Sequence, residues 1–518
     1  MLFRSNSSKN YHHKCLDNMR LFLRKIESLS IIQLQFFLSF IATIIATTIL
    51  YHKHGVTDPD SVLYLEAARL FSLGQWLDGY QIYPWPFYSF CISAVNRIFT
   101  LNIHHSAEFL NIIFFTIATF SFLNIIKLCG GKKLEILIGA LILFSSNQIV
   151  GNVLGILMRE VGFWAFLLTA IVFYMRYFKS HSYIDAFFWQ VSIVLATLFR
   201  IEGIVFLIIL PISMFTFKRN EVLQNASAYL NANFLNIFLL IAVCIIAFIS
   251  DHVAIRDFGR LQEVFSMSAY QEFFNKLSIN AGIMSSQVLG KFLQGYATQG
   301  LLLTLLYAIF SELIKTTGRL NSLLGLLGIS EKEILIDASM RKVLYFSAFI
   351  SAFIFMVFTI KTFIITHRYV LAFSFVWMIF STFYLAHLCK SIFKPKQTIK
   401  KILTFLVIAF LSVSVIKNLL PKSHDIFIQQ EAVTWLKKNN IANEPIFYDE
   451  SRARYFANEP FLGKFNRYNR MIEQNINDHS ILNYQYLLIT FSSDYTEYEN
   501  YVRKSLPQFM EVKRFCQK

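Results

Sequence analysis

The sequence predicts an all-α polytopic membrane protein of about eleven transmembrane helices, followed by a small α/β domain. Three observations carry that expectation. The 518 residues are 55% hydrophobic and only 15% charged, with a mean hydropathy of +0.49. That is too apolar for a soluble chain and too long for a single anchor. The apolar residues are grouped in runs about long enough to cross a hydrocarbon core of roughly 30 Å. Beyond residue 420 the runs stop, and amphipathic helical patterns alternate with short β-like stretches.

Taken in order, residues 1–30 are polar and basic, and 31–51 is apolar. That run is too long and too far from the start for a cleaved signal peptide, so it reads as a retained first helix. Further spans are expected at 106–126, 134–151, 161–177, 184–199, 201–217, 233–250, 298–315, 343–365, 369–389 and 402–419. The stretch 84–100 opens Pro84-Trp85-Pro86 and carries Asn96 and Arg97. It reads as a surface or re-entrant helix.

Charge supports that choice. With 84–100 left out, the basic groups fall on one side and become cytoplasmic by the positive-inside rule. They are Arg4 to Lys25 in the N-terminal segment, Lys127/Lys132/Lys133, Arg176/Lys179, Lys218/Arg219, Lys315/Arg319/Lys332/Arg341/Lys342 and Lys390/Lys394/Lys396/Lys400/Lys401. The external side then holds loop 52–105, the turns at Glu160, Arg200 and His367-Arg368, loop 251–297 and the tail 420–518. The net charge of +16 is explained by this topology, with no nucleic-acid partner. The six cysteines are scattered, with no C-x-x-C and no zinc spacing, and imply no disulfide framework. In the tail, 425–440 reads as an amphipathic helix, and 445–448, 486–490 and 511–515 as strands.

The chemistry-bearing residues lie on the external side. Thr57-Asp58-Pro59-Asp60 opens a helix, with Asp58 as N-cap and Pro59 at the first helical position. Leu63, Ala67, Leu70 and Phe71 share one face, so this helix is expected to lie on the membrane surface. Asp60 is on its first turn, on the side of Tyr64. Helix capping accounts for both aspartates locally, and D-P-D also matches the short D-x-D metal pattern of nucleotide-sugar enzymes. Glu160 follows Arg159 at a helix mouth, where an exposed Arg–Glu pair is the plain reading. Arg200 and Glu202 stand between two apolar runs with no loop to solvate them. Charges at such depth mark functional sites, although Arg200 could also snorkel to the head groups. His367 and Arg368 end an apolar helix. Two carboxylates (Asp60, Glu160) and two guanidiniums (Arg200, Arg368) thus reach one membrane face. There a carboxylate can act as general base toward a hydroxyl, and arginines can clamp a phosphate.

These residues in this order resemble the GT-C superfamily of membrane glycosyltransferases, in particular the polyprenyl- or dolichyl-phosphate-sugar users such as protein O-mannosyltransferases and aminoarabinose transferases. The resemblance rests on D-S-V-L-Y-L-E-A-A-R after the first helix, Y-P-W-P-F-Y-S-F, L-M-R-E-V-G-F-W-A-F, L-F-R-I-E-G-I-V-F-L and H-R-Y-V-L. In the tail it rests on E-A-V-T-W-L-K-K-N-N and P-I-F-Y-D-E-S-R-A-R-Y-F-A. Trp85 departs from the family's Pro-Pro, and Ser61 stands where many members carry a second acid.

The resemblance implies a GT-C-like membrane domain over 31–419 and an external α/β domain over 420–518. It implies transfer of a sugar, with inversion, from a polyprenyl-phosphate donor to a hydroxyl on a glycolipid, glycan or protein. In that reading Asp60 is the base and Glu160 a second acidic group orienting acceptor or sugar. Arg200 and Arg368, with His367, hold the lipid phosphate, and Tyr64, Tyr83 and Glu202 contact substrate. No metal or other cofactor is expected. The implied location is a bacterial inner membrane, with the N-terminus cytoplasmic and the site periplasmic. Two other classes stand beside it. A transporter or flippase of lipid-linked sugars would show repeated halves and mid-span charges, and no half-repeat is evident. A non-catalytic scaffold would use the same fold without the chemistry.

Overall fold

The computed structural model describes residues 28–53, 58–216, 222–238, 241, 268–331, 336–391, 398–421, 428–440, 442–459, 468–491 and 496–516. Most of the N-terminal segment, most of the expected span 233–250, residues 251–267, the Lys218/Arg219 pair, and Lys332, Lys394 and Lys396 lie outside these.

The described chain is a helical bundle. In chain order its membrane part comprises α1 (Ile31–Lys53), α2 (Pro59–Ser72), α3 (Trp76–Ile82), α4 (Phe87–Phe99), α5 (Ile103–Leu128), α6 (Lys133–Ser145), α7 (Glu160–Ser180), α8 (Tyr183–Phe199), α9 (Gly203–Ile209) and α10 (Val222–Ala232). It continues with α11 (Ser268–Ile283), α12 (Ala297–Thr317), α13 (Arg319–Ser330), α14 (Ala338–Thr362), α15 (Leu371–Ser391) and α16 (Thr398–Leu419). Seven helices, α1, α5, α7, α12, α14, α15 and α16, are long and apolar enough to cross a membrane, and α6 with the π-turn Asn147–Val153 forms an eighth span bent by 47°. The expected spans at 184–199 and 201–217 are present as shorter apolar segments, α8 and Gly203–Phe215, the latter made of α9 and the 3₁₀ segment that follows it. The region expected to be a surface or re-entrant helix is the 13-residue α4, too short to span.

Close contacts sort the ends of these helices into two groups. At one end Lys179 pairs with Asp337, the Asp337 N–H donates to Cys129 O, and Lys390 pairs with Glu135. These are the basic connections that the charge pattern put together. At the other end Asp58, Asp60, Glu160, Arg200 and Arg368 converge. Lys315 and Arg319 depart from the expected grouping. Ile309 on α12 packs with Val370 near the start of α15, and the Thr317 and Ser374 hydroxyls are 2.9 Å apart. The chain runs toward the basic end only through α13, where Gly328 packs against the backbone of Phe380. Residues 309–319 therefore lie toward the site end. The physical cause is the break at Gly318, whose φ of +91° suits a residue without a side chain.

The helix α2 also corrects an expectation. Leu63, Ala67, Leu70 and Phe71 are buried, and so are Val62, Tyr64, Leu65 and Ala68. It is enclosed between α3, α4 and α5 on one side and a helix of the tail on another, so protein covers more than the one apolar face the sequence suggested.

The tail is a small α/β unit, in the order α17 (Ile428–Asn439), β1 (Ile446–Tyr448), α18 (Ser451–Ala457), α19 (Tyr468–Asn477), β2 (Tyr486–Leu488) and α20 (Thr496–Ser505). The strands pair in parallel, Ile446 with Tyr486 and Tyr448 with Leu488. Successive strand residues face opposite sides. Tyr448 packs with Val433, Leu436, Ala453 and Ala457, while Phe447 packs with Ile472, Ile481, Val502 and Leu506. The expected strand at 511–515 is absent from this sheet. Phe515 and Lys513 lie instead against the ring of Trp435.

Asp449, just past β1, is 9% exposed. Its Oδ2 accepts the Thr490 N–H at 2.7 Å, and its Oδ1 has no partner among the described residues. Burial, reinforced by the charge of Glu450, pushes this carboxyl up to about 8. The folded tail thus keeps a proton that the unfolded chain gives up between about pH 4 and pH 8, so this group's contribution to stability is lost as pH rises through that window. Asp449→Asn keeps an acceptor for Thr490 and removes the titration. Hydrogen exchange of the 446–449 backbone in the full chain should show the variant better protected than the parent at about pH 8–9 and little different at about pH 5. Equal protection at both values would reject this account.

Candidate active site

The site begins with the first turn of α2. The Asp58 Oδ1 accepts the Ser61 N–H at 2.9 Å, and the Ser61 hydroxyl in turn accepts the Asp58 N–H at 3.3 Å. This reciprocal box satisfies two helix-end groups, and Pro59 at the first position pre-sets the backbone. The second acid missing at Ser61 is replaced by a hydroxyl that fixes the cap. The rigid turn holds two carboxylates toward a single partner. Arg368 Nη1 donates to Asp60 Oδ2 at 2.7 Å, and Nη2 donates to Asp58 Oδ2 at 2.5 Å. Arg368 lies on the short 3₁₀ turn His367–Tyr369 between α14 and α15, 308 residues away in sequence from Asp60.

A second ion cluster lies beside it. Arg200 caps the C-terminus of α8 in an extended conformation and is 3% exposed. Its Nη1 donates to Glu160 Oε1 at 3.0 Å, its Nη2 to Glu202 Oε1 at 2.8 Å and its Nε to Glu202 Oε2 at 3.2 Å. The guanidinium lies 4.3 Å from the centre of the Tyr369 ring, a cation–π contact in a desolvated place. The reversal that brings Glu202 back to Arg200 depends on Gly203. A Cβ there would stand 2.8 Å from the Thr197 backbone nitrogen.

Glu160 starts α7 and is 3% exposed. Its Oε2 is buried with no partner among the described residues. Arg159, one residue earlier, does not pair with it, because adjacent helical positions point in different directions. Its guanidinium instead lies 6.0 Å from the Tyr64 ring centre and 5.4 Å from that of Tyr83, and those two rings meet edge to face at 5.0 Å. Tyr88 packs on Tyr64 and donates its hydroxyl to Asn111 Oδ1. A small open recess is lined by Arg200, Glu202, Arg368, Tyr369, Phe163 and Phe206, with residues of α14 and α15. The carboxylates and guanidiniums read from the sequence are therefore brought together. Tyr64 and Tyr83 stand beside Glu160 through Arg159, outside the recess lining.

Burial and the neighbouring Arg368 charge hold His367 below the ordinary imidazole range. At neutral pH it offers hydrogen bonds but no positive charge. Burial, aided by the nearby Asp60 charge, lifts the Asp58 carboxyl above its ordinary value against the pull of Arg368. Sequence reasoning missed Arg159 and Tyr369. The directional divergence of neighbours at a helix start was the available signal for Arg159, whereas nothing local marks Tyr369 as the cover of Arg200. Among the described residues no group of three His, Cys, Asp or Glu could hold a metal ion.

No protein-family model matches the sequence, and no curated protein does. Among solved structures the chain is similar to the crystal structure of ArnT from Cupriavidus metallidurans bound to undecaprenyl phosphate. The match covers 93% of this chain and 96% of that one, at 11% sequence identity and a TM-score of 0.39. At that degree of likeness neither the activity nor the ligand of that protein transfers to this chain.

Removing one member of the Arg200 cluster leaves buried charge uncompensated. Arg200→Met is expected to cost about 3–5 kcal/mol by stranding Glu160 and Glu202, and adding Glu160→Gln and Glu202→Gln to it should return part of the loss. Thermal unfolding of the detergent-solubilised protein measures both. An Arg200→Met protein as stable as its parent would show that the cluster is not closed as described.

Proposed function

We propose that this protein is a membrane glycosyltransferase that moves a sugar from a polyprenyl-phosphate donor to a hydroxyl acceptor at the membrane surface. One observation carries the reading. Two carboxylates at a rigid helix start and two arginines from distant turns meet beside one recess at one end of a membrane bundle. This pairing of a base with phosphate-binding cations is what transfer from a lipid phosphate requires. The charge pattern of the loops supports placing that end outside the cytoplasm; in this reading the membrane is a bacterial inner membrane.

In this reading the acceptor oxygen attacks the anomeric carbon while the bond from that carbon to the phosphate oxygen breaks, with inversion. The acceptor proton passes to Asp60, and the bonding electron pair leaves with the phosphate. Arg368 stabilises the charge that builds there, and Arg200 supports it from within the same recess. Asp60 is suited to the role of base because its side chain is 42% exposed, the most open of the paired carboxylates here. Glu160, with one oxygen held by Arg200 and one unpartnered, orients a hydroxyl of sugar or acceptor. The aspartates of D-P-D are held by a guanidinium, so the reading assigns them no divalent metal. The acceptor is a glycolipid, glycan or protein hydroxyl.

The test is transfer by purified protein in detergent, given polyprenyl-phosphate sugars and a hydroxyl acceptor panel. Activity without a sealed membrane separates an enzyme from a flippase. Asp60→Asn should lower transfer by roughly 10²–10⁴-fold while the protein still inserts and folds. Near-parental transfer by that variant would sink the assignment of the base.

A further inference from the structure

The two duties of Asp58 fall on different atoms. Its Oδ1 caps α2 through the Ser61 N–H and hydroxyl, and its Oδ2 accepts from Arg368. Capping alone needs only the first. Arg368 meanwhile spends both arms of its fork on two carboxylates, and the charge of Glu160 also reaches it. A phosphodiester entering beside Arg368 therefore meets more negative than positive charge, unless a carboxylate gives way. Asp60 is constrained from the other side. Its Oδ2 already accepts the Arg368 N–H at 2.7 Å, so the guanidinium occupies the position from which an acceptor hydroxyl would reach that oxygen.

The two arginines lining the recess differ in freedom. Arg200 is held by Glu160 and Glu202 under the Tyr369 ring with a side chain 4% exposed. Moving it would strand two buried carboxylates. Arg368 has a side chain 25% exposed and sits on a three-residue turn. Its partners Asp58 and Asp60 are 18% and 42% exposed, so water can take its place on them.

We propose that Asp58 is a positioning residue that competes with the donor's phosphate for Arg368, so that a seated phosphate draws Arg368 away from both aspartates and releases Asp60 to take the acceptor's proton. This rests on the reading of Arg368 as a phosphate contact. The consequence is order. The site does not activate a hydroxyl until the lipid donor is in place, which guards against spending the base on water. No covalent step is added; one guanidinium exchanges two carboxylate partners for phosphate oxygens.

The separation of atoms in Asp58 gives a clean variant. Asparagine caps a helix as well as aspartate does, so Asp58→Asn keeps the Oδ1 acceptor for Ser61 while replacing the Oδ2 partner of Arg368 with an amide that does not attract it. The probe is undecaprenyl phosphate, titrated into full-length protein in detergent, with parent, Asp58→Asn and Arg368→Ala compared. Asp58→Asn is expected to bind about tenfold more tightly, the scale of one lost charged hydrogen bond, with an unchanged thermal midpoint. In the transfer assay its donor KM should fall while its acceptor KM stays the same. Arg368→Ala should bind far more weakly than the parent. If Arg368→Ala loses binding but Asp58→Asn binds no more tightly than the parent, the competition is overturned and the phosphate role of Arg368 stands. If Arg368→Ala binds like the parent, the phosphate role itself is overturned, and the competition with it.

Discussion

Arg200 lies between the first residue of α7 and the turn that leaves α8, with three of its nitrogens donating to two carboxylates and an aromatic ring over its face. A guanidinium almost wholly removed from water survives only where its charge and its donors are met. That requirement fixes the start of α7, the reversal at Gly203 and the turn at Tyr369 relative to one another. Residues of these three segments, Phe163, Arg200, Glu202, Phe206 and Tyr369, line the recess. Such ion clusters contribute little net stability compared with well-packed apolar groups. Their effect here is on geometry, since they give three connections of the bundle a single mutual arrangement.

The second cluster is built differently. Asp58, Asp60 and Arg368 are partly exposed and joined across 308 and 310 residues of chain. Counting Arg159, three guanidiniums lie among the four carboxylates Asp58, Asp60, Glu160 and Glu202, so positive charge is matched and exceeded by negative charge within one small volume. One half of this network is dry and fixed, the other wet and exchangeable. A site that must hold a reacting group still and yet admit a charged ligand benefits from both, because preorganised dipoles act most strongly where water is absent, while exchange of partners is cheap where water can replace them.

The tail domain contributes to this arrangement from the opposite side. Its helix α18 packs on α2, and Tyr455 of α18 shares a 2.6 Å hydrogen bond with His104 Nδ1 at the start of α5. The helix that presents Asp58 and Asp60 is therefore clamped between the bundle and the tail. Its Tyr64 face is turned into the protein, and the carboxylates of its first turn are left at the edge where Arg368 can reach them. A helix lying free on a bilayer surface would hold the same residues with far less definition.

Much of this was legible in the chain itself. Hydropathy located the long spans, since a hydrocarbon core dictates their length. Asp58-Pro59 announced the start of α2, because capping is a local matter of backbone N–H groups. Loop charge grouped Lys127, Lys179, Arg341 and Lys390 at one end and Asp60, Glu160, Arg200 and Arg368 at the other. It failed at Lys315 and Arg319, where a break at Gly318 ends α12 toward the site end and α13 continues from there toward the basic end, a turn that no hydropathy window registers. The tail yielded two of its three expected strands, because 511–515 finds Trp435 as a packing partner in place of a neighbouring strand. The sequence by itself thus determined which residues must be buried in lipid or protein and which charges must share a face. Only the tertiary structure decided who pairs with whom: that Arg368 takes both aspartates, that Arg200 is saturated by Glu160 and Glu202, and that Arg159 turns to Tyr64 and Tyr83. The reason is physical. Burial and capping are set within a few residues of chain, whereas an ion pair depends on directions and distances fixed only when segments hundreds of residues apart are packed together.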